Sequence, residues 1–327
     1  MIARLVGLLL LALVALGASL LVGGTFVAPA DIVGALLHPH ASPDSTITIV
    51  WMLRLPRVVI AAAVGAQLAI AGALLQGMLR NPLVDPYLTG VSAGAAAAIA
   101  VAIVVGVAAP LIPGIGFAAG LGASLLVAAL ARRGAGLDAN RLILAGVSLS
   151  ALFSAFIALI LTRQQSADYA GAIIAWLAGS MAGRGWSDLL LALPYTAIGL
   201  GLAALAVPML NALRVGNARA AAVGVDVDRA QWLILAASAL LTASAVALAG
   251  IVGFVGLIVP HLARRVVGSD ARILIPACAL IGVTLCTLAD AASRSLVAPA
   301  ELPVGVLLAF IGVPTFLYLY LRRGAAL

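Results

Sequence analysis

Arg54 and Arg57 stand three residues apart at the head of one long apolar run, and Arg294 stands near the tail of another. Spacing of three puts two helical side chains on one face. A guanidinium can take a carboxylate bidentately; at a membrane boundary it can equally snorkel to lipid phosphate. Residue type alone leaves both readings open. Asp290 lies four residues before Arg294, the spacing of an ion pair on a helix. An acid inside an apolar run is also what a proton-coupled carrier needs. Asp138-Ala139-Asn140-Arg141 opens a further run, and Asp138 or Asn140 could cap its helix. Asn211–Gln231 is the most polar stretch of the second half, holding Gly216, Arg219, Ala220, Gly224, Asp226 and Arg229. Its length suits two short helices about a turn at Gly224, with Arg219 and Arg229 able to meet acids on a partner.

Much chemistry is excluded. All 18 basic residues are arginine, so a phosphate-binding P-loop, which needs its lysine, is absent, as is Schiff-base catalysis. His261 follows Pro260 as an isolated histidine and defines no metal site. Cys278 and Cys286 are about 12 Å apart on a helix, too far for a disulfide. Gly250, Gly253 and Gly256 follow no strand and are no dinucleotide fingerprint. No nucleophile–base pair stands out. No catalytic residue, metal or cofactor is expected in this chain.

The elements that position these residues are apolar helices. The 327 residues are 65% hydrophobic and 9% charged, whereas soluble domains carry about a quarter charged residues. A helix crosses the bilayer with about 20 apolar residues, and the runs are continuous rather than alternating as barrel strands are. The fold class expected is all-α, one polytopic transmembrane bundle over residues 1–327 with about ten spans. The spans expected are Leu5–Val22, Val58–Leu79, a third ending near Ala108, a fourth ending at Ala131, Leu142–Leu161, Leu189–Leu210, Trp232–Ala249, a short piece Ile251–Leu262, Ile273–Ser293 and Pro303–Leu321. Leu5–Val22 could be a signal peptide, but a retained span fits the alternation better. Ala30–Leu53, with His38, His40, Pro43 and Asp44, reads as a polar connection, and Thr162–Asp188 as a mixed segment able to hold a short non-spanning helix. Ala61, Gly65, Ala69, Ala73 and Gly77 recur every four residues, which lets helix backbones approach closely in lipid.

Counting arginines sets the orientation. With the N-terminus inside, 13 of the 18 fall on the inner side and 5 (Arg54, Arg57, Arg163, Arg184, Arg294) on the outer. The positive-inside rule favours that arrangement, with an even number of spans and both termini cytoplasmic. The scattered arginines are topology signals and no nucleic-acid patch.

Leu53-Arg54-Leu55-Pro56-Arg57, then Gln76, Asn81-Pro82-Leu83-Val84-Asp85-Pro86 and Gly90-Val91-Ser92-Ala93-Gly94 resemble the FecCD family of permeases. So do Leu144-Ala145-Gly146-Val147, Gly253 to His261, and Ala300-Glu301-Leu302-Pro303-Val304-Gly305. That family includes the membrane subunits of vitamin B12, haem and ferric-siderophore ABC importers. The resemblance implies a bacterial inner-membrane homodimer of ten-span subunits, two separate cytoplasmic ATP-binding subunits and a periplasmic substrate-binding protein. It implies that Arg54, Arg57 and Arg294 dock the binding protein. The Gly216–Arg229 loop would couple to the ATPase, and Ala139 and Asn140 would form a cytoplasmic gate. Ala139 and the larger Asn140 depart from the small polar residues of the family's gate. The competing reading is a proton- or sodium-coupled secondary transporter, which often shows internal repeats; no repeat is visible between the halves. The substrate is not readable, iron chelates being the first expectation.

Overall fold

The computed structural model describes residues 2–23, 27–38, 45–133, 136–164, 166–298 and 300–324. His40, Pro43 and Asp44 of the expected polar connection lie outside the described residues. The helices in chain order are α1 (Ile2–Leu21), α2 (Pro29–Leu37), α3 (Ser45–Thr48), α4 (Leu55–Met78), α5 (Val91–Val105), α6 (Ile112–Ala131) and α7 (Ala139–Arg163). There follow α8 (Ala167–Leu177), α9 (Trp186–Arg214), α10 (Asn217–Ala222), α11 (Val227–Ala249), α12 (Val255–Val267), α13 (Ala271–Ser295) and α14 (Val304–Gly324). A two-residue hairpin pairs Arg132 with Leu137 and Arg133 with Gly136. Among the described residues, seven helices are long and apolar enough to cross a membrane: α1, α4 with its extension, α6, α7, α9, α11 and α13. α5 and α12, of 15 and 13 residues, are shorter, α14 has 21 residues, and α8 is the short helix expected in the mixed segment.

Two ends of the bundle can be told apart by contacts. At one, Arg4 donates to Val266 O, Asn211 to Asp270, and Leu137 N to Gln231. At the other, Arg57 meets Asp290, Arg294 meets Ser19, and Trp186 meets Trp51. The helix directions alternate as the arginine count requires.

The second span begins far earlier than its apolar run suggested. Helix runs unbroken over Thr46–Met78, 33 residues, through a π-helical stretch at Ile49–Arg54. Proline is the reason the sequence hid this, because Pro56 cannot donate a backbone hydrogen bond. In the π register, where Leu55 N pairs with Val50 O, the carbonyl that Pro56 abandons is that of Trp51. The Trp186 indole supplies the missing donor at 2.8 Å.

α4 is the axis of the bundle, and glycines set its contacts. A Cβ on Gly65 would collide with the backbone of Gly282 on α13, and one on Gly282 would collide with Gly65 in return. Gly72 meets Gly256 of α12 in the same way. At these points the backbones of α4 and its neighbours lie too close for any side chain, the packing that lipid favours in place of a hydrophobic driving force.

The third expected span proves shorter than a full crossing, at 15 residues, and the eighth is short as expected, at 13. After α4 the chain reverses at Arg80, φ 52°, and residues 79–90 climb back beside α4. Pro86 reaches Gly256, which also faces Leu68 and Gly72. α5 starts from that depth and runs towards the Arg57 end; its 15 residues give about 22 Å. On the other side, residues 250–254 descend, and α12 starts from the same depth towards the Arg264 end. The two starts are tied together: Tyr87 Oη donates to Val252 O at 3.0 Å and accepts from Val252 N at 2.9 Å. Non-helical backbone at such depth is tolerated where protein satisfies it. Gln76 does much of that. Its Nε2 donates to Val84 O, Gly256 O and Leu257 O at 3.2, 3.0 and 3.3 Å, and its Oε1 accepts from Arg264 at 2.8 Å. Gly256 O is available because Pro260, four residues on in α12, has no N–H.

Candidate docking and coupling sites

The outer-end arginines converge, but they do not present alike. Asp290 is fully buried on α13 and shared: Arg57 Nε donates to Oδ1 at 3.0 Å, and Arg294 Nε lies 3.1 Å from Oδ2. The expected Asp290–Arg294 pair is therefore present, with Arg57 as a third member. Arg294 also donates to Ser19 O, Ser19 Oγ and Val22 O at 3.1, 2.9 and 2.8 Å. Arg54 donates to Leu20 O and Leu21 O at 2.8 and 3.2 Å. Apart from the Ser19 hydroxyl, these acceptors are the carbonyls of the last turn of α1 and of Val22 just after it; such carbonyls have no partner within the helix and carry its negative dipole end. Two guanidiniums thus cap α1 and hold it to α4 and α13. Arg54 and Arg294 are only 5% and 4% exposed, so of the three arginines expected to dock the binding protein these two lie buried in the free subunit. Arg57 remains partly open, and its Nη1 also meets Glu301 Oε1 and Oε2 at 3.0 and 2.9 Å. Nothing in sequence spacing links Arg57 to Glu301, 244 residues away; the only signal was that each sits in a family-like motif.

At the other end, the polar stretch holds one short helix where two were expected. α9 continues through Pro208 to Arg214. The chain then turns at Gly216, φ 115°, and Gly224, φ 86°, with α10 between them. The segment after Gly224 is already the first turn of α11, capped by Asp226 accepting from Arg229 N at 3.1 Å. Ala220 is buried and pins α10 to the bundle, while Arg219 is exposed. Arg229 has an acid within the chain, since its Nε lies 2.9 Å from Asp226 Oδ2. Both side chains are exposed, and such pairs contribute little, so a partner's acid could replace Asp226. Sequence reading overlooked Val215 and Val223, 58% and 74% exposed beside α10, which give this loop an apolar contact surface. Nearby, Asn211 bridges α9 to α13 through Asp270 Oδ1 and Ala271 N. The Asn211 amide, with the Arg272 backbone N–H, holds the Asp270 carboxyl below the usual carboxylate range.

Asp138 caps α7, accepting from Arg141 N at 2.9 Å, and the hairpin before it is tied to α11 by Leu137 N donating to Gln231 Oε1. Ala139 is half-buried and Asn140 exposed. Both stand at the Arg264 end, at the foot of α7.

A glycine-packed helical bundle with two helices broken at mid-depth, a charged cluster at one end and a short docking helix at the other is a membrane transport subunit. Residues 9–322 match the FecCD transport family. The chain is 40% identical over 289 residues to the cobalamin import system permease protein BtuC of Halobacterium salinarum, covering 86% of this chain and 75% of that one. It is 37% identical over 295 residues to the hemin transport system permease protein HmuU of Yersinia pestis, covering 87% and 86%. Its fold superposes with a TM-score of 0.87, at 32% identity, on a structure described as an inward-facing metal-chelate type ABC transporter, covering 98% of this chain and 100% of that one. This chain belongs to the FecCD transport family. It is the multi-pass permease subunit of an ABC importer, and ATP hydrolysis is the work of other subunits.

Proposed function

We propose that this permease carries a bulky metal chelate, a ferric siderophore, haem or cobalamin, from periplasm to cytoplasm as one half of a homodimer. Two cytoplasmic ATP-binding subunits engage the α10 loop at the Arg264 end. A periplasmic binding protein docks at the Arg57 end, with Arg57 as the direct contact and Arg54 and Arg294 fixing the frame around it. Gly216 and Gly224 shape the coupling loop, Ala220 anchors it, and Arg219, Asp226 and Arg229 supply its charges. Ala139 and Asn140 narrow the inner mouth.

The observation that carries a central path is the exposed surface of α7. Asn140, Ser148, Ala151, Ser154, Ala158 and Thr162 are all exposed along one stripe, with Leu144 and Val147 the large apolar residues exposed among them. The adjoining exposed face carries Leu152, Phe156 and Leu159, as a face against lipid or another apolar helix would. α9 is equally open but shows Leu190, Leu191, Leu193 and Ile198. A stripe of small and polar side chains suits water and passing solute, and two copies of α7 about a two-fold axis would line a channel. The relatives' named cargoes, cobalamin and hemin, are both large metal chelates, which favours the same class here.

Reconstitution in proteoliposomes tests this. Uptake of labelled chelate is expected only with the ATPase subunits, the binding protein and ATP. In a background lacking Cys278 and Cys286, Ser148→Cys and Ser154→Cys should react with a membrane-impermeant thiol reagent, while Leu159→Cys should not. Accumulation driven by a proton gradient without ATPase subunits would replace this reading with a secondary carrier.

A further inference from the structure

Arg57 in the free permease already holds an acid that it can give up. Its two carboxylate neighbours differ in kind. Asp290 is buried within α13 and fixed between Arg57 and Arg294. Glu301 lies between α13 and α14, with its side chain 39% exposed. The backbone around Glu301 is fastened on the α14 side. Leu302 N donates to Ser293 O at 3.0 Å and Gly305 N to Gly179 O at 3.2 Å. A Cβ at Gly305 would strike the Ala178 and Ile251 carbonyls. Glu301 can therefore leave Arg57 by rotating its own side chain, with no movement of the helices. The grip itself is incomplete: both Glu301 oxygens share Nη1, and Nη2 has no acceptor among the described residues. A guanidinium is built to offer two parallel N–H groups to one carboxylate. An acid arriving from outside can use both.

We infer that Glu301 is an internal stand-in for an acidic side chain of the binding protein. It occupies Arg57 until docking and is then displaced, while Asp290 keeps the guanidinium aimed outward through Nε. This rests on the reading of the Arg57 end as the docking face. Charge supports the exchange. Three guanidiniums face two carboxylates in the cluster, so it carries one net positive charge with Glu301 in place. With Glu301 swung away the excess is greater, and an incoming carboxylate restores the balance. The partner chemistry specified is a rigidly presented Asp or Glu on a protein surface. A competing internal acid of this kind makes weak or misplaced carboxylates fail to dock, because each must outbid Glu301.

The test uses full-length permease with its ATPase subunits in nanodiscs and, as probe, its purified cognate binding protein. Arg57→Ala should weaken docking about tenfold or more, as truncating one partner of a charge pair does. Glu301→Gln should tighten docking several-fold, chiefly in the association rate, and Glu301→Asp, too short to span to Arg57, should behave like Glu301→Gln. The double variant Arg57→Ala/Glu301→Gln should match Arg57→Ala alone. Unchanged affinity in Arg57→Ala would remove the docking reading itself. Weakened docking in Arg57→Ala, with unchanged or weaker docking in a folded Glu301→Gln, would leave that reading intact and overturn the exchange.

Discussion

α4 and α7 are alike in length class and apolarity, yet 78% of the α4 span window is buried and only 11% of the α7 window. Hydrophobicity cannot have made that choice, because lipid tails are as apolar as leucine and reward neither arrangement. What differs is side-chain size at the points of approach. α4 offers Gly65 and Gly72 to the glycines of α13 and α12, and Ala61, Ala69, Ala71 and Ala73 are fully buried along the same helix. α7 makes one such approach, Gly146 against the Leu88 carbonyl, and leaves the rest of its length open. In this bundle, position follows from where backbones can touch.

The strongest challenge to that contrast is Gly72→Leu. The side chain would drive α12 away from α4, and the loss should exceed the roughly 1–3 kcal/mol of ordinary overpacking. Detergent-titrated unfolding followed by circular dichroism should find little folded protein. If Gly72→Leu folds normally, glycine contacts do not set the core. Next in size is Gln76→Leu, nearly the same volume. It removes the donor from the Val84 and Gly256 carbonyls, each costing about 1–3 kcal/mol when buried and unpaired, and not additively. The same unfolding titration should show a clear loss, with Gln76→Glu restoring little because a carboxylate has no N–H to donate. Gly146→Val sharpens the comparison from the other side. It lies on the exposed helix, yet it should cost about 1–3 kcal/mol, because the rule attaches to the contact and not to the helix. Smallest is Leu144→Ala, on the open face two residues earlier and 66% exposed. It should leave stability within about 0.5 kcal/mol. A large effect there would mean that α7 is covered in the free subunit.

Much of this architecture was legible because bulk patterns survive folding. The arginine distribution predicted the alternation of helix directions, and the long apolar runs marked the full-length spans. The misses share a cause, which is that broken backbone has no composition of its own. The third span was expected as a full crossing after a short polar segment, Arg80–Pro86, because that segment looks like a surface loop until Tyr87, Gln76 and Gly256 close over it. Gly72 escaped notice because it falls outside the four-residue repeat running from Ala61 to Gly77, and its importance comes from Gly256, far along the chain. The cluster at the Arg57 end was legible as arginines but not as a division of labour. Whether an arginine caps α1 or faces out depends on Ser19–Val22 and Glu301, which no local spacing connects to it.

The Tyr87–Val252 link also constrains biogenesis. Tyr87 finds its backbone partner 165 residues later in the chain, and at about 5–20 residues per second some 8–30 seconds pass between their syntheses. During that interval the 79–90 segment has neither Val252 nor Gly256 to shield it from lipid. It must wait at the aqueous surface or within the insertion machinery, with α5 held short of its final depth. Closure of this mid-depth junction therefore waits for the arrival of α12. A ribosome stalled before Val252 should leave residues 79–90 open to a protease that cannot cut the finished protein.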